Sequence, residues 1–214
     1  INVKIIIRIS ILKNNMYAGV DIGSGSMRLA ICEITNGKAK TKHFELFGHS
    51  LGKDNREFNN LSDITMTDTI DKFKQILELC DKYEVKAVEF SATEAIRAAK
   101  NSQHFLKMVK EELGVDIRIL NEEEEASFAY LGAMKLFNEN AKQVMVMDIG
   151  RGSIEIALGS HKHSEPLEYV SHKLGTMVFK GRLDNKDTLE ESFNDIIKEV
   201  YRKREKGRTL SFSG

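Results

Sequence analysis

The chain has 214 residues, 41% hydrophobic and 30% charged, enough apolar material for one large domain or two small lobes with cores of their own. Lys+Arg and Asp+Glu both total 32, so no overall field draws in a nucleic acid polymer or a membrane surface, and any polyanion site must be built locally. Cys32 and Cys80 have no metal-knuckle or disulfide-framework spacing, which points to a reducing, cytoplasmic compartment.

Residues 1–15 form an apolar run broken by Lys4 and Arg8, too short to span a bilayer and without a small-residue cleavage site. Met16 stands directly before the first motif strand, so the natural start is expected there and 1–15 reads as an upstream or extraneous extension; an added edge strand is the alternative. Strands are expected over 17–22, 28–35 and 39–48, an antiparallel meander turning at Gly37, then a polar, Asn-rich loop over 53–63. Ile70, Phe73, Ile76, Leu77 and Cys80 fall at helical spacing in 67–83, with Thr67 or Asp68 as the N-cap.

A strand over 85–90, a helical turn over 93–99, a helix over 102–113 ending at Gly114 and a strand over 115–120 follow. A long helix over 122–137 takes its apolar faces from Phe128, Leu131, Met134 and Leu136, and the four glutamates at its start complement the helix dipole. The pattern then restarts: strands over 143–148, 154–159 and 166–171, a helical stretch over 176–183, a helix over 187–205 and a strand-like 209–212. His161-Lys162-His163 reads as a surface hairpin turn, and the basic run 202–208 as the end of a helix favoured by its dipole.

Two loops of nearly the same wording open the two halves: Asp21-Ile22-Gly23-Ser24-Gly25-Ser26 and Asp148-Ile149-Gly150-Arg151-Gly152-Ser153. Each lies between apolar β-type runs and reads as a tight hairpin. Asp-x-Gly-Ser alone is ordinary hairpin chemistry; two copies suggest an internal repeat of two similar lobes. The glycines are expected to take positive φ and approach a ligand closely, while N–H groups and the hydroxyls of Ser24, Ser26 and Ser153 line an anion cradle. Asp21 and Asp148 would point carboxylates at the same place, suited to a divalent metal or its waters.

Further motifs extend this pattern. Ser91-Ala92-Thr93-Glu94-Ala95-Ile96-Arg97 continues to Asn101, Asn121-Glu122-Glu123-Glu124-Glu125-Ala126 leads to Tyr130-Leu131-Gly132, and Ser171 is followed by Gly175. On these residues and the two hairpins, the chain resembles the exopolyphosphatase and guanosine pentaphosphate phosphohydrolase family. Gly25 stands where that family's motif has Asn, and Arg151 where it has Gly. The resemblance covers Met16 to about Gly175 and thins afterwards, so the second lobe is expected to be incomplete.

The resemblance implies an α/β, ribonuclease H-like, actin-type ATPase fold: two repeated βββαβα lobes around a cleft, the first over 16–122 and a partial second over 123–214. It implies Mg2+-dependent hydrolysis of a terminal phosphoanhydride. Gly23, Ser24, Gly25, Ser26, Arg97, Gly150, Arg151, Gly152 and Ser153 would hold phosphate; Asp148 and Glu155, with Asp21 as a third candidate, would hold the metal. Alignment on Ala126 places the general base at Glu124, with Arg97 beside it as the second catalytic residue. Arg151 either fills the cradle or adds a positive contact to phosphate. Polyphosphate or guanosine pentaphosphate is the implied partner, with a homodimer as the implied assembly. A kinase or ATPase of the same superfamily and a non-catalytic phosphate-binding fragment are the alternatives.

Overall fold

The computed structural model describes residues 15–49, 51, 59–135, 144–160, 166, 168–173, 175–176, 194–196, 198–199 and 202. Strands β1 (Met16–Ile22), β2 (Ser26–Thr35) and β3 (Lys38–Gly48) form the expected meander, turning at Asn36 and Gly37, both with positive φ. Helix α1 (Asp63–Lys82) leads to β4 (Ala87–Ala92), the short α2 (Glu94–Arg97), α3 (Ser102–Leu113) and β5 (Ile117–Ile119). The five strands form one sheet in the order β3-β2-β1-β4-β5. β1 pairs antiparallel with β2 and parallel with β4, which anchors the first turn from both sides.

Helix α1 begins four residues before the expected start. Ser62 is its N-cap, accepting a hydrogen bond at Oγ from the Thr65 N–H, so the candidates Thr67 and Asp68 lie inside the helix. Phe73, Ile76 and Cys80 of α1 and Phe105 and Val109 of α3 join Val20, Ile22, Leu29 and Phe90 of the sheet in one core. Phe73 meets the Phe90 ring edge-on at 5.2 Å, a favoured aromatic geometry. Helix α3 ends at Gly114 in the left-handed conformation, as its sequence predicts.

A second sheet holds the strands β6 (Val144–Ile149), β7 (Ile154–Gly159) and β8 (Glu168–His172), antiparallel in that order. Helix α4 (Glu122–Met134) lies on this sheet. Its buried face is Ala126 and Tyr130, with Ala133 and Met134 alongside, whereas Phe128 and Leu131 are exposed, contrary to expectation. Tyr130 decides the orientation: its ring packs with Val144, Val146 and Ala157, and its hydroxyl donates to the Ser160 carbonyl at 2.9 Å. Phe128 instead lies beneath the Arg118 guanidinium, 5.8 Å from the ring centroid. On the sheet's other face Ile154 and Ile156 pack with Ile196.

Among the described residues no helix is long and apolar enough to cross a membrane. Residues 1–14, the turn 161–163, most of the stretches expected as helix over 176–183 and 187–205, and the strand expected over 209–212 lie outside the described residues.

Candidate active site

The two turns share one local geometry. The Gly23 N–H donates to the Ser26 carbonyl at 3.1 Å, and the Gly150 N–H to the Ser153 carbonyl at 2.9 Å. The turns also face each other. A Cβ placed on Gly152 would stand 2.8 Å from Ser24 Oγ and 3.6 Å from Glu94 Cγ, while one placed on Gly25 would collide with the Arg151 side chain, 2.6 Å from Cζ. Positive φ is confined to Gly37 and Gly114 among the described glycines. The glycines of the turns are therefore not required by φ, contrary to expectation; Gly25 and Gly152 leave room for the opposite turn.

A third element braces the second turn. The Gly175 N–H donates to the Gly152 carbonyl at 3.1 Å, and the Thr176 N–H to the Gly150 carbonyl at 2.9 Å. A Cβ on Gly175 would run into the Arg151 carbonyl and the Gly152 nitrogen. Gly175 is thus a supporting residue that the sequence reading left outside the site, although the Ser171 to Gly175 element was its signal.

Carboxylates gather beside the turns. Asp148 and Glu155 are cross-strand partners on β6 and β7, and Ser171 Oγ donates to Glu155 Oε1 at 3.0 Å. Burial pushes both carboxyls above their usual range, and repulsion from Asp148 raises Glu155 further. Asp21 lies near enough to raise Asp148, although its own carboxylate is paired with Arg28 at 2.5 Å.

Arg97 closes the short helix α2. Its guanidinium donates to Glu94 Oε2 at 3.0 Å, to Glu125 Oε2 at 3.2 Å and to the Leu120 carbonyl. Lys173, just after β8, reaches Glu94 Oε1 at 3.4 Å, so an ion-pair chain runs from Lys173 through Glu94 and Arg97 to Glu125.

Glu124 does not enter this chain. Its carboxylate turns back to accept from the Asn121 N–H at 3.0 Å while Asn121 Oδ1 accepts from the Glu124 N–H at 2.9 Å, a reciprocal helix cap. Arg118 pairs with the same carboxylate, and both contacts hold it below the usual carboxylate range. The glutamate that joins it is Glu125, one residue on and about 100° around the helix. Burial, with Glu155 and Asp21 adding repulsion against the pull of Arg97, lifts it to about 7.

Among the described residues no group of three or more His, Cys, Asp or Glu is arranged to hold a metal ion. The donor chemistry nonetheless fits a hard cation. Asp148 and the buried Glu155 are oxygen donors whose repulsion a divalent ion would relieve, and Mg2+ is commonly bound by one or two carboxylates beside substrate phosphates rather than by a full protein cage.

The sequence pattern described as the Ppx/GppA phosphatase family matches residues 30–208. The chain is similar to the bifunctional 3-dehydroquinate synthase/phosphatase of Fusobacterium nucleatum, 30% identical over 219 residues, which cover 94% of this chain and 32% of that protein. It is also similar to a guanosine-5'-triphosphate,3'-diphosphate pyrophosphatase of Aliivibrio fischeri, 27% identical over 183 residues, 85% of this chain and 36% of that one.

Among solved structures, the Aquifex aeolicus member of the Ppx/GppA family matches with a TM-score of 0.75 at 30% identity, covering 87% of this chain and 62% of that one. An exopolyphosphatase of Cytophaga hutchinsonii, at 22% identity and a TM-score of 0.76, shares the fold. The chain spans about a third of the length of these curated relatives and 62% of these solved chains. The expected α/β fold is the one found.

Proposed function

The chain belongs to the Ppx/GppA phosphatase family, and from that membership we propose that it hydrolyses the terminal phosphoanhydride of inorganic polyphosphate or guanosine pentaphosphate, releasing orthophosphate. One observation carries the reading: two turns of like conformation meet on the side of the structure that holds a half-buried carboxyl, Glu125, whose pKa is lifted to about 7. A general base works best with a pKa near the operating pH.

In this reading the N–H groups of both turns and the hydroxyls of Ser24, Ser26 and Ser153 bind phosphate oxygens. Glu125 takes the proton from a water whose oxygen attacks the terminal phosphorus, while the bridging P–O bond breaks toward the remaining chain. Arg97 positions Glu125 through their 3.2 Å contact and offers its guanidinium to a phosphate oxygen. Asp148 and Glu155, with Asp21 nearby, would hold Mg2+, which supplies charge neutralisation on the transferred phosphoryl group. Glu124, committed to the helix cap, has no part in the step.

The test is phosphate release from long-chain polyphosphate, guanosine pentaphosphate and ATP, with and without Mg2+, for the wild-type chain, Glu125→Gln and Glu124→Gln. The expected result is Mg2+-dependent release from the first two substrates, a loss on the order of 100-fold or more in Glu125→Gln and nearly unchanged release in Glu124→Gln. Full activity in Glu125→Gln with loss in Glu124→Gln would return the base to Glu124. Phosphate binding without release would make the chain a binding module, and phosphorylation of a sugar by ATP would make it a kinase.

A further inference from the structure

The contact between the turns is reciprocal. The side chain after the first glycine of each turn, Ser24 in one and Arg151 in the other, lies over the second glycine of the opposite turn, Gly152 and Gly25 respectively. The two contacts differ in chemistry: one brings a neutral hydroxyl, the other a guanidinium.

That guanidinium has no partner of its own among the described residues. Arg28, Arg97 and Arg118 each hold a carboxylate, whereas Arg151 forms no hydrogen bond or ion pair among the described residues. Arg151 therefore brings five N–H donors to a turn that itself presents backbone donors. An anion seated beside this contact would accept from the guanidinium and the backbone donors together. Nearby charge agrees: the Arg151 field helps to keep the half-buried His49 neutral, and the His49 N–H donates to the Gly25 carbonyl at 3.3 Å.

We infer that Arg151 and the backbone of Ser24 and Gly25 form one anion subsite, in which a single phosphate group bridges the two lobes without needing a metal ion. Gly25 is glycine because the guanidinium must rest where a Cβ would stand. The inference rests on the phosphate-site reading of the turns and adds a specific residue, a specific spatial requirement and independence from Mg2+.

The experiment is calorimetric titration of the chain with orthophosphate and with tripolyphosphate in EDTA. The variants are Arg151→Ala, Arg151→Lys, Gly25→Ala and the double variant Gly25→Ala/Arg151→Ala, with a thermal melt of each. Arg151→Ala and Gly25→Ala should each weaken binding by about tenfold or more, the scale of a lost charge-assisted hydrogen bond. Arg151→Lys keeps the charge without the planar fork and should lose less. The double variant should bind no more weakly than Arg151→Ala alone, because the added methyl acts only by displacing the guanidinium.

Unchanged affinity in Arg151→Ala, or losses that add in the double variant, would overturn the inference. Should Gly25→Ala melt early, the comparison of Arg151→Ala with Arg151→Lys decides alone, since Arg151 is exposed. If the wild-type chain releases phosphate with Mg2+ while Arg151→Ala binds as the wild type does, only this inference fails. If the wild-type chain neither binds nor releases phosphate, the hydrolase reading fails with it.

Discussion

Replacing Glu125 by Gln removes a charge that the fold resists, and the resulting change in stability has a definite pH dependence. The carboxyl moves from an ordinary 4.5 to about 7 in the folded chain. Between those values the unfolded chain has lost this proton while the folded chain keeps it, so the unfolded state binds fewer protons and stability falls as pH rises. Below about 4.5 both states are protonated and the group costs nothing; above about 7 both are ionised and the full penalty applies. The shift corresponds to as much as about 3 kcal/mol.

Glutamine has nearly the same shape and never ionises. Glu125→Gln should therefore melt close to wild type near pH 4.5 and increasingly above it as pH rises to 8, with the gap saturating past neutrality. Denaturant or thermal unfolding at half-unit pH steps reads this directly. A difference between the two proteins that stays flat across the range would refute a neutral-range carboxyl at this position, and with it the physical basis for a base here.

His49 gives a slope of the opposite sign. Burial lowers it from 6.5 to about 4, so stability present above pH 6.5 is lost as pH falls toward 4, and His49→Gln should abolish that loss in unfolding experiments. The two groups oppose each other over much of the same window, so wild-type stability should vary little there while each variant exposes the other's slope. Gly175→Ala should destabilise by about 1–3 kcal/mol, the scale of overpacking, because its methyl meets the backbone of Arg151 and Gly152; orthophosphate affinity should fall with it, and wild-type affinity in a stable variant would show that the brace does not set the turn.

The alternation of apolar residues, the repeated Asp-x-Gly wording and the Gly114 helix stop were all readable from the sequence, since each is a local rule acting within a few residues. The start of α1 was missed because the apolar stripe marks only the helix body; Ser62, three residues before Thr65, was the signal for the cap. The buried face of α4 was hidden by its composition, since Phe128 and Tyr130 are both aromatic and only tertiary contacts, with Val144, Val146, Ala157 and Ser160, favour Tyr130. The run Glu122 to Glu125 offers four chemically identical side chains, and one residue of register separates the cap at Glu124 from the Arg97 pair at Glu125. The pairing of Gly25 with Arg151 joins positions on different lobes, which no reading of either turn by itself contains.

Two backbone amides, those of Gly175 and Thr176, fasten the second turn to the segment that follows β8. The turn and that segment consequently form one mechanical piece, coupled through rigid peptide units rather than through pliable side chains. Gly150 and Gly152 therefore keep their place only while Gly175 and Thr176 keep theirs.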